Sequence, residues 1–312
     1  MRIDRRVALF VLLLPTLLAP VACDSESGPD AAAPNRIPTV VPTNYPMMFF
    51  IERIAGDRVT IEWIVPDGVD PGTWQPTADE VAEMNSADLV VLNGAGYEPW
   101  LETVSLSPGA IVDTSAGFKD RLIEVRSRVH SHGPDGSHSH TGTATHTWLD
   151  PDLAIKQADA VRGALAELLP NEQDAFQSNF GALRRELLLR SAGMEQAVNT
   201  RPTTPVVFSH PVFQYLQRRY RMNGVSVHFE PRREPDDDAI RELDSVLASQ
   251  PAAWFIWEGP PIPANEELVG AKGLQGVVFD PGGAPPESGD LLDILDAGVA
   301  SLRLVYDAPA DS

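Results

Sequence analysis

The chain has 312 residues, a formal net charge of −20, seven His and one Cys. Because nucleic-acid binding needs a basic surface, we expect no nucleic acid partner for so acidic a chain. A lone Cys excludes an intramolecular disulfide, so a packed apolar core must hold the fold together.

The first 23 residues have the pattern of an export signal. Three Arg form a basic start, and the apolar stretch that follows over residues 7–19 is too short to cross a bilayer. Cys23 comes next in a segment that resembles the lipobox of bacterial lipoproteins, with Pro20 where Leu is usual. We therefore predict that residues 1–23 are a lipoprotein signal peptide and that Cys23 is lipidated. An ordinary secreted protein cleaved near Cys23 is the alternative.

Residues 24–36 are rich in Ser, Gly, Pro and Ala, and we expect them to form a flexible tether. Beyond them, short apolar runs alternate with amphipathic stretches, which is typical of α/β proteins. One helix should begin at Thr77, because Thr77 and Glu80 have the spacing of a capping box. The other elements predicted in the first half are a helix at 47–56 and strands at 36–41, 59–65, 88–94 and 110–114.

Two helices separate this half from a second alternating half. Asp150 or Asp152 should cap a helix that stops at Pro170, and a long amphipathic helix follows over 171–198. We interpret the long helix as a rigid connector, with a plain surface helix as the alternative. The elements predicted beyond it are strands at 204–210, 225–229, 253–259 and 276–280 and helices at 211–221, 236–249 and 288–305.

A His-rich loop at residues 129–146 precedes the first of these two helices. His146 lies at its end, directly before the predicted helix, where the chain geometry should be fixed. The four earlier histidines lie among Ser, Gly, Asp and Pro, so we expect them to be mobile and to bind metal weakly, since ordering them costs entropy. They are His130, His132, His138 and His140. A solvated spacer is the alternative interpretation of this loop.

Two polar residues directly follow predicted buried strands of the second half. These are His210 and Asp280. Ligands of open α/β sheets bind beyond the carboxyl ends of the strands, so both side chains could face one crevice. Taken singly, His210 could equally be a core or helix-start histidine, and Asp280 could be the first residue of a turn.

Five segments in order resemble the zinc and manganese solute-binding proteins of ABC transporters, the cluster A-I family of metal-receptor lipoproteins. They are IAGDRVTIEWIVPDGVDPGTWQPTADEV (54–81), ADLVVLNGAGYEPWL (87–101), HTWLDP (146–151), VVFSHPVFQYLQRRY (206–220) and VVFDPGG (277–283). A His-rich loop before Trp-Leu-Asp-Pro is also typical of the zinc branch. The resemblance extends from residue 37 to about residue 305.

The resemblance implies an α/β fold of two Rossmann-like lobes with a metal site in the cleft between them. The N-terminal lobe would cover residues 37–170 and the C-terminal lobe 200–312, joined by one linker helix over 171–199. His146, His210 and Asp280 match metal ligands of the family. Two imidazoles and a carboxylate suit Zn²⁺, and manganese members usually carry Glu at position 210, so we expect Zn²⁺ rather than Mn²⁺.

One position departs from the family pattern. Where the family usually reads Asp-Pro-His, this chain reads Asp-Pro-Gly, so Gly72 replaces the first ligand. Water could complete a three-ligand site, or the site could serve another ligand. Alternatively, another side chain could fill the gap. The candidates for such a fourth ligand are His140, Glu98 and Glu258.

The function implied is that of an extracytoplasmic zinc receptor that delivers Zn²⁺ to an ABC import permease. We expect a monomer, not an enzyme, at the periplasm or cell surface, held to the membrane through Cys23. A periplasmic metal buffer or sensor and a receptor for a chelated metal are the alternatives. A zinc-dependent hydrolase is a third, because three protein ligands plus water is the arrangement of catalytic zinc.

Overall fold

The computed structural model describes residues 36–125, 129–131, 137–139 and 142–307, with the two three-residue segments given by their backbone alone. The predicted signal peptide, Cys23, His132 and His140 lie outside these residues, as does the predicted tether apart from Arg36. Residues from Ile37 onward form one compact unit. In the part of the chain that the structure describes, no helix is both long and apolar enough to cross a membrane.

The first half is built on a four-stranded parallel sheet in the order β2-β1-β3-β4. The central strands are apolar runs because both faces of the sheet are covered; all four residues of β3 are buried. The strands are β1 (Thr39–Pro42), β2 (Thr60–Ile61), β3 (Leu89–Leu92) and β4 (Ile111–Asp113), and the helices are α1 (Tyr45–Ala55), α2 (Ala78–Ser86) and α3 (Pro151–Leu168).

The second half repeats the arrangement, with a parallel sheet in the order β10-β9-β11-β12. The strands are β9 (Val206–Phe208), β10 (Gly224–Ser226), β11 (Trp254–Trp257) and β12 (Gln275–Val278). The helices are α5 (Gln214–Tyr220), α6 (Asp237–Ser249), α7 (Pro263–Ala271) and α8 (Leu291–Asp307). Because both sheets have the same order of crossovers, the predicted α/β fold of two Rossmann-like halves is confirmed.

Side-chain caps determine where several helices begin and end. Asn44 caps α1, Asp150 caps α3, and Thr77 with Glu80 forms the predicted capping box of α2. Helix α1 ends at Gly56, whose φ of 59° is easily reached only without a Cβ. The sequence therefore predicted the starts of α2 and α3 and the end of α1 correctly, whereas α1 begins at Tyr45, two residues before the predicted start.

The long helix α4 (Gln173–Thr200) connects the two halves. One face packs on α1 and α3 of the first half, and further along the helix the packing is against α8 of the second. The buried residues of that face include Phe176, Phe180, Leu183, Leu187 and Met194. Since burying each such side chain stabilises the fold by about 1.5–3 kcal/mol, α4 is a packed connector rather than a surface helix.

The structure adds short antiparallel pairs within the segment that the sequence analysis treated as a loop. Strands β5 (Glu124–Val125) and β8 (Gly142–Thr143) pair at its base. Between them, β6 (Val129–Ser131) and β7 (Ser137–Ser139) form a hairpin that sets His130 opposite His138 along the backbone. Where the structure describes the His-rich segment, it therefore contains two short antiparallel strand pairs rather than irregular loop alone.

Candidate metal centre

The three predicted ligands all lie in loops next to strand ends. His210 is two residues beyond β9 and Asp280 two residues beyond β12, while His146 lies between β8 and a 3-10 helix at Thr147–Leu149. Such loops gather at the carboxyl edge of a parallel sheet, which is where α/β proteins bind ligands. We call these three residues the inter-sheet site.

His146 is enclosed by aromatic rings. Its ring centroid lies 4.8 Å from that of Trp148 and 5.9 Å from that of Tyr97, and Nδ1 lies 3.2 Å from Oγ1 of Thr145. Burial lowers the pKa of His146 to about 3, and the nearby charge of His210 adds to the effect. His146 is therefore neutral at physiological pH, which is the form that binds a metal.

His210 has an acidic partner. Its Nδ1 lies 3.3 Å from Oε2 of Glu258, and its ring meets that of His228 edge-on at 5.8 Å. Burial alone would lower the pKa of His210, but the hydrogen bond and charge of Glu258, with Glu230 and Asp70, outweigh it and raise the pKa. Because a carboxylate can only accept, Nδ1 carries a proton, and Nε2 is the nitrogen left for a metal.

Asp280 is held by its own turn. One carboxylate oxygen accepts a 2.7 Å hydrogen bond from the backbone nitrogen of Gly282. Desolvation by the surrounding protein raises the pKa of Asp280, and the charge of Glu258 adds to this, although solvent still reaches part of the side chain. The second carboxylate oxygen has no hydrogen bond to the described residues and could bind a cation.

Contacts between the two halves bring these loops together. The indole Nε1 of Trp148 donates to the carbonyl oxygen of Pro281 at 2.6 Å, and the backbone nitrogen of Tyr45 donates to the carbonyl oxygen of Gly283 at 3.1 Å. On the other side of His146, the Tyr215 hydroxyl donates to the carbonyl oxygen of Ala144 at 3.0 Å. The segments that carry His146, His210 and Asp280 are therefore neighbours.

The predicted ligands do not converge to coordination distance. Among the residues whose side chains the structure describes, no three His, Cys, Asp or Glu lie close enough together to hold a metal ion. His146 and His210 are nevertheless near enough for the charge of one to shift the pKa of the other. The chemistry of the site fits Zn²⁺, with two imidazoles and a carboxylate, but binding would require these side chains to move closer.

Two of the three proposed fourth ligands are engaged elsewhere, and the third, His140, lies outside the described residues. Glu98 is buried in the first half and accepts hydrogen bonds from the Thr43 hydroxyl at 2.6 Å and the Asn93 nitrogen at 2.7 Å. The Gly94 nitrogen donates to its other oxygen at 3.1 Å. Burial raises the pKa of Glu98 to about 7. Glu258 is the hydrogen-bond partner of His210.

Tyr97 is a site residue that the sequence analysis did not single out. Its buried ring lies edge-on to both His146 and Trp148. A Cβ atom placed on Gly72 would lie 3.4 Å from Cζ of Tyr97, so position 72 faces the aromatic pocket of His146. The motif Gly-Tyr-Glu-Pro-Trp of the second family segment contains Tyr97 and could have drawn attention to it. The place of Tyr97 in the site, however, depends on tertiary contacts that the motif does not encode.

Two Rossmann-like halves joined by one long helix, with histidines on adjoining loops, define a two-lobed α/β binding protein. The sequence profile of the family "ZnuA: Zinc-uptake complex component A periplasmic" matches residues 40–304. The chain therefore belongs to this family, as the sequence resemblance had indicated.

Individual relatives are similar over most of the chain. The zinc-binding lipoprotein AdcA of Streptococcus pneumoniae is 27% identical over 258 residues, which is 79% of this chain and 50% of AdcA. This chain thus spans about half the length of AdcA. The high-affinity zinc uptake system protein ZnuA of Bacillus subtilis is 25% identical over 245 residues, 75% of each protein.

The fold is shared with solved structures. The Zn(II)-bound ZnuA-like domain of Streptococcus pneumoniae AdcA superposes with a TM-score of 0.72 at 20% sequence identity, covering 88% of this chain and all of that domain. At this level of identity the match establishes the common two-lobed fold. It does not identify the metal ligands of this chain.

Proposed function

We propose that this protein is an extracytoplasmic receptor that binds Zn²⁺ between its two halves and delivers it to an ABC import permease. The ligands are His146 from the first half and His210 and Asp280 from the second. The mature chain is lipid-anchored through Cys23, acts as a monomer at the periplasm or cell surface, and has no enzymatic role.

The proposal is supported chiefly by the placement of His146 and His210. They come from different halves and lie in adjoining loops. In each of them a nitrogen is available to a metal, for a different physical reason. His146 is kept neutral by its aromatic pocket. His210 has its Nδ1 engaged by Glu258, which leaves Nε2 as the donor. A carboxylate that orients a metal-binding imidazole is a recurrent feature of zinc sites.

Ligands from both halves also account for transport. An ion that bonds to both halves stabilises the arrangement in which they are closest, and the free protein relaxes from it. The same ion can then be released when a partner favours the relaxed arrangement.

Zinc titration of matched His→Ala variants tests this proposal. At pH 7.5, in competition with a chelating dye, the wild type should bind one Zn²⁺ tightly. His146→Ala and His210→Ala should each weaken that site about 10- to 100-fold or more. His228→Ala is the control, because His228 adjoins the His210 ring but is bonded to Glu242. Unchanged affinity in either ligand variant would refute the assignment.

A further inference from the structure

The turn at residues 70–74 holds a carboxylate in a fixed place beside Gly72. Oδ1 of Asp70 accepts a 2.9 Å hydrogen bond from the backbone nitrogen of Gly72. The carbonyl oxygen of Asp70 accepts from the nitrogens of Thr73 and Trp74, both at 3.0 Å. Trp74 is buried and packs edge-on against Trp100 at 5.9 Å, so the turn is anchored to the core of the first half.

The Asp70 carboxylate borders the space into which a side chain at position 72 would project. A Cβ atom on Gly72 would lie 3.5 Å from Oδ1 of Asp70 and 3.4 Å from the ring of Tyr97. The Tyr97 ring in turn contacts that of His146. Because Gly72 carries no side chain, residue 72 itself leaves the space between the carboxylate and the Tyr97 ring open.

Asp70 is also close to the second half. Its negative charge helps to raise the pKa of His210, and the charge of Glu258 acts on Asp70 in return. Asp70 therefore lies near His210 of the inter-sheet site, and the Tyr97 ring lies between its turn and His146. Oδ2, unlike Oδ1, has no hydrogen bond to the described residues and could bind a cation.

We propose that Asp70 is the fourth zinc ligand of this protein and takes the place of the histidine that the family resemblance implies at position 72. The inference rests on the proposed function, since it adds a donor to His146, His210 and Asp280. The zinc-loaded site would then hold two nitrogen and two oxygen donors. Of the candidates named from the sequence alone, Glu98 has both oxygens engaged by hydrogen bonds within the first half, and Glu258 is bonded through Oε2 to His210.

The donor set has a consequence for metal selectivity. Exchanging an imidazole for a carboxylate makes the site harder, which favours Mn²⁺ relative to a site with three imidazoles. The preference for Zn²⁺ over Mn²⁺ should therefore be smaller in this protein than in a version with histidine at position 72.

Asp70→Asn tests the proposal, with Asp67→Asn as the matched control. The amide oxygen of the introduced side chain can still accept from the Gly72 nitrogen, so the turn is kept while the anionic ligand is lost. Asp67 is an exposed residue of the same loop, and its substitution changes the net charge equally. Zinc affinity is measured at pH 7.5 by dye competition on the full mature chain, and metal-free melting temperatures verify that both variants fold.

The proposal predicts that Asp70→Asn weakens zinc binding about 10- to 100-fold. Asp67→Asn should stay within about twofold of wild type, because salt screens an exposed charge. In Co²⁺-loaded protein, only Asp70→Asn should change the ligand-field absorption, since only it alters the coordination shell.

Two results would overturn the assignment while leaving the zinc receptor intact. One is an Asp70→Asn variant that binds zinc as tightly as wild type; the other is equal weakening by both substitutions with an unchanged Co²⁺ spectrum. If instead His210→Ala binds as tightly as wild type, the receptor proposal itself fails, and the role of Asp70 fails with it.

Discussion

Trp148 and Pro281 join the two halves of the molecule through one hydrogen bond. The indole Nε1 donates to the Pro281 carbonyl oxygen at 2.6 Å, while the indole ring lies 4.8 Å from the ring of His146. Pro281 directly follows Asp280. A single side chain thus connects the loop of a predicted ligand in one half with that of a predicted ligand in the other.

Trp148→Phe should lower the free energy of unfolding of the metal-free protein by about 1–3 kcal/mol, because a ring is kept but the Pro281 carbonyl loses its donor. Trp100→Phe is the control. Trp100 is equally buried, yet its Nε1 finds no acceptor among the described residues, so its replacement removes no hydrogen bond. Urea denaturation compares the two, and an equal loss of stability would contradict a specific role for the Trp148 bond.

Zinc affinity should fall in acid because protons compete with the metal for one histidine, His210. The pKa of His146 is lowered to about 3, so protons do not compete for it near neutral pH. The pKa of His210 is raised, so its proton must be displaced as the metal binds. Below that pKa, affinity should fall about tenfold for each pH unit, the slope of one competing proton.

Titrations between pH 7.5 and 5.5 measure this slope. His210→Ala should bind weakly with little dependence on pH over this interval. A hundredfold loss of zinc affinity per pH unit, the slope of two competing protons, would show that His146 also titrates and that its aromatic pocket does not keep it neutral. Equal affinity at both ends of the interval would contradict the assignment of His210 as a ligand.

Gly72→His should add a zinc ligand that compensates for the one lost in the Asp70→Asn variant. The Cβ of residue 72 would make only ordinary contacts, the closest at 3.4 Å to Tyr97, and would face the pocket of His146. We expect Gly72→His to recover about tenfold or more in zinc affinity in the Asp70→Asn background. In the wild-type background the gain should be smaller, because the site already has four ligands. Equal gains in both would show that the two positions act independently.

Glu98→Gln should destabilise the protein without changing its zinc site. The glutamine amide would put a donor against the Gly94 or Asn93 nitrogen, at a cost of about 1–3 kcal/mol in unfolding free energy. Glu102→Gln, on the exposed side of the neighbouring 3-10 helix, should change stability by less than about 0.5 kcal/mol. Weaker zinc binding in Glu98→Gln, with unchanged stability, would make Glu98 a ligand after all.

Deleting residues 129–141 should remove weak zinc sites and keep the tight one. The deletion is compatible with the fold, because Val125 of β5 and Gly142 of β8 are already paired at the base of the segment. It removes four of the seven histidines. The number of zinc ions bound at high concentration should therefore drop while the affinity of the tight site is unchanged. Loss of tight binding would assign the fourth ligand to a loop histidine and contradict the role of Asp70.

Local signals in the sequence predicted much of the fold. Thr77 and Asp150 cap the helices that were expected to begin there, and Gly56 ends α1. The strand predicted at 59–65 is shorter, since β2 pairs only through Thr60 and Ile61 at the edge of its sheet. The sequence did not predict helix α7, because the helix is short and Ile262, the residue that precedes it, provides no side-chain cap.

The candidate site was only partly accessible from the sequence. The segments around His146, His210 and Asp280 were recognisable by resemblance, and the same resemblance predicts a histidine where this chain has Gly72. The contacts of Tyr97 with His146, and of Asp70 with the space beside Gly72, depend on chain segments that the tertiary fold brings together. No periodicity or local motif encodes such contacts.

A crystal structure of the zinc-loaded protein, with the metal located by its anomalous scattering, tests the central claim most directly. The account predicts one Zn²⁺ between the halves, about 2.0–2.2 Å from a nitrogen of His146, a nitrogen of His210 and an oxygen of Asp280. A tightly bound zinc coordinated by residues of one half alone, or without His146 and His210, would contradict it.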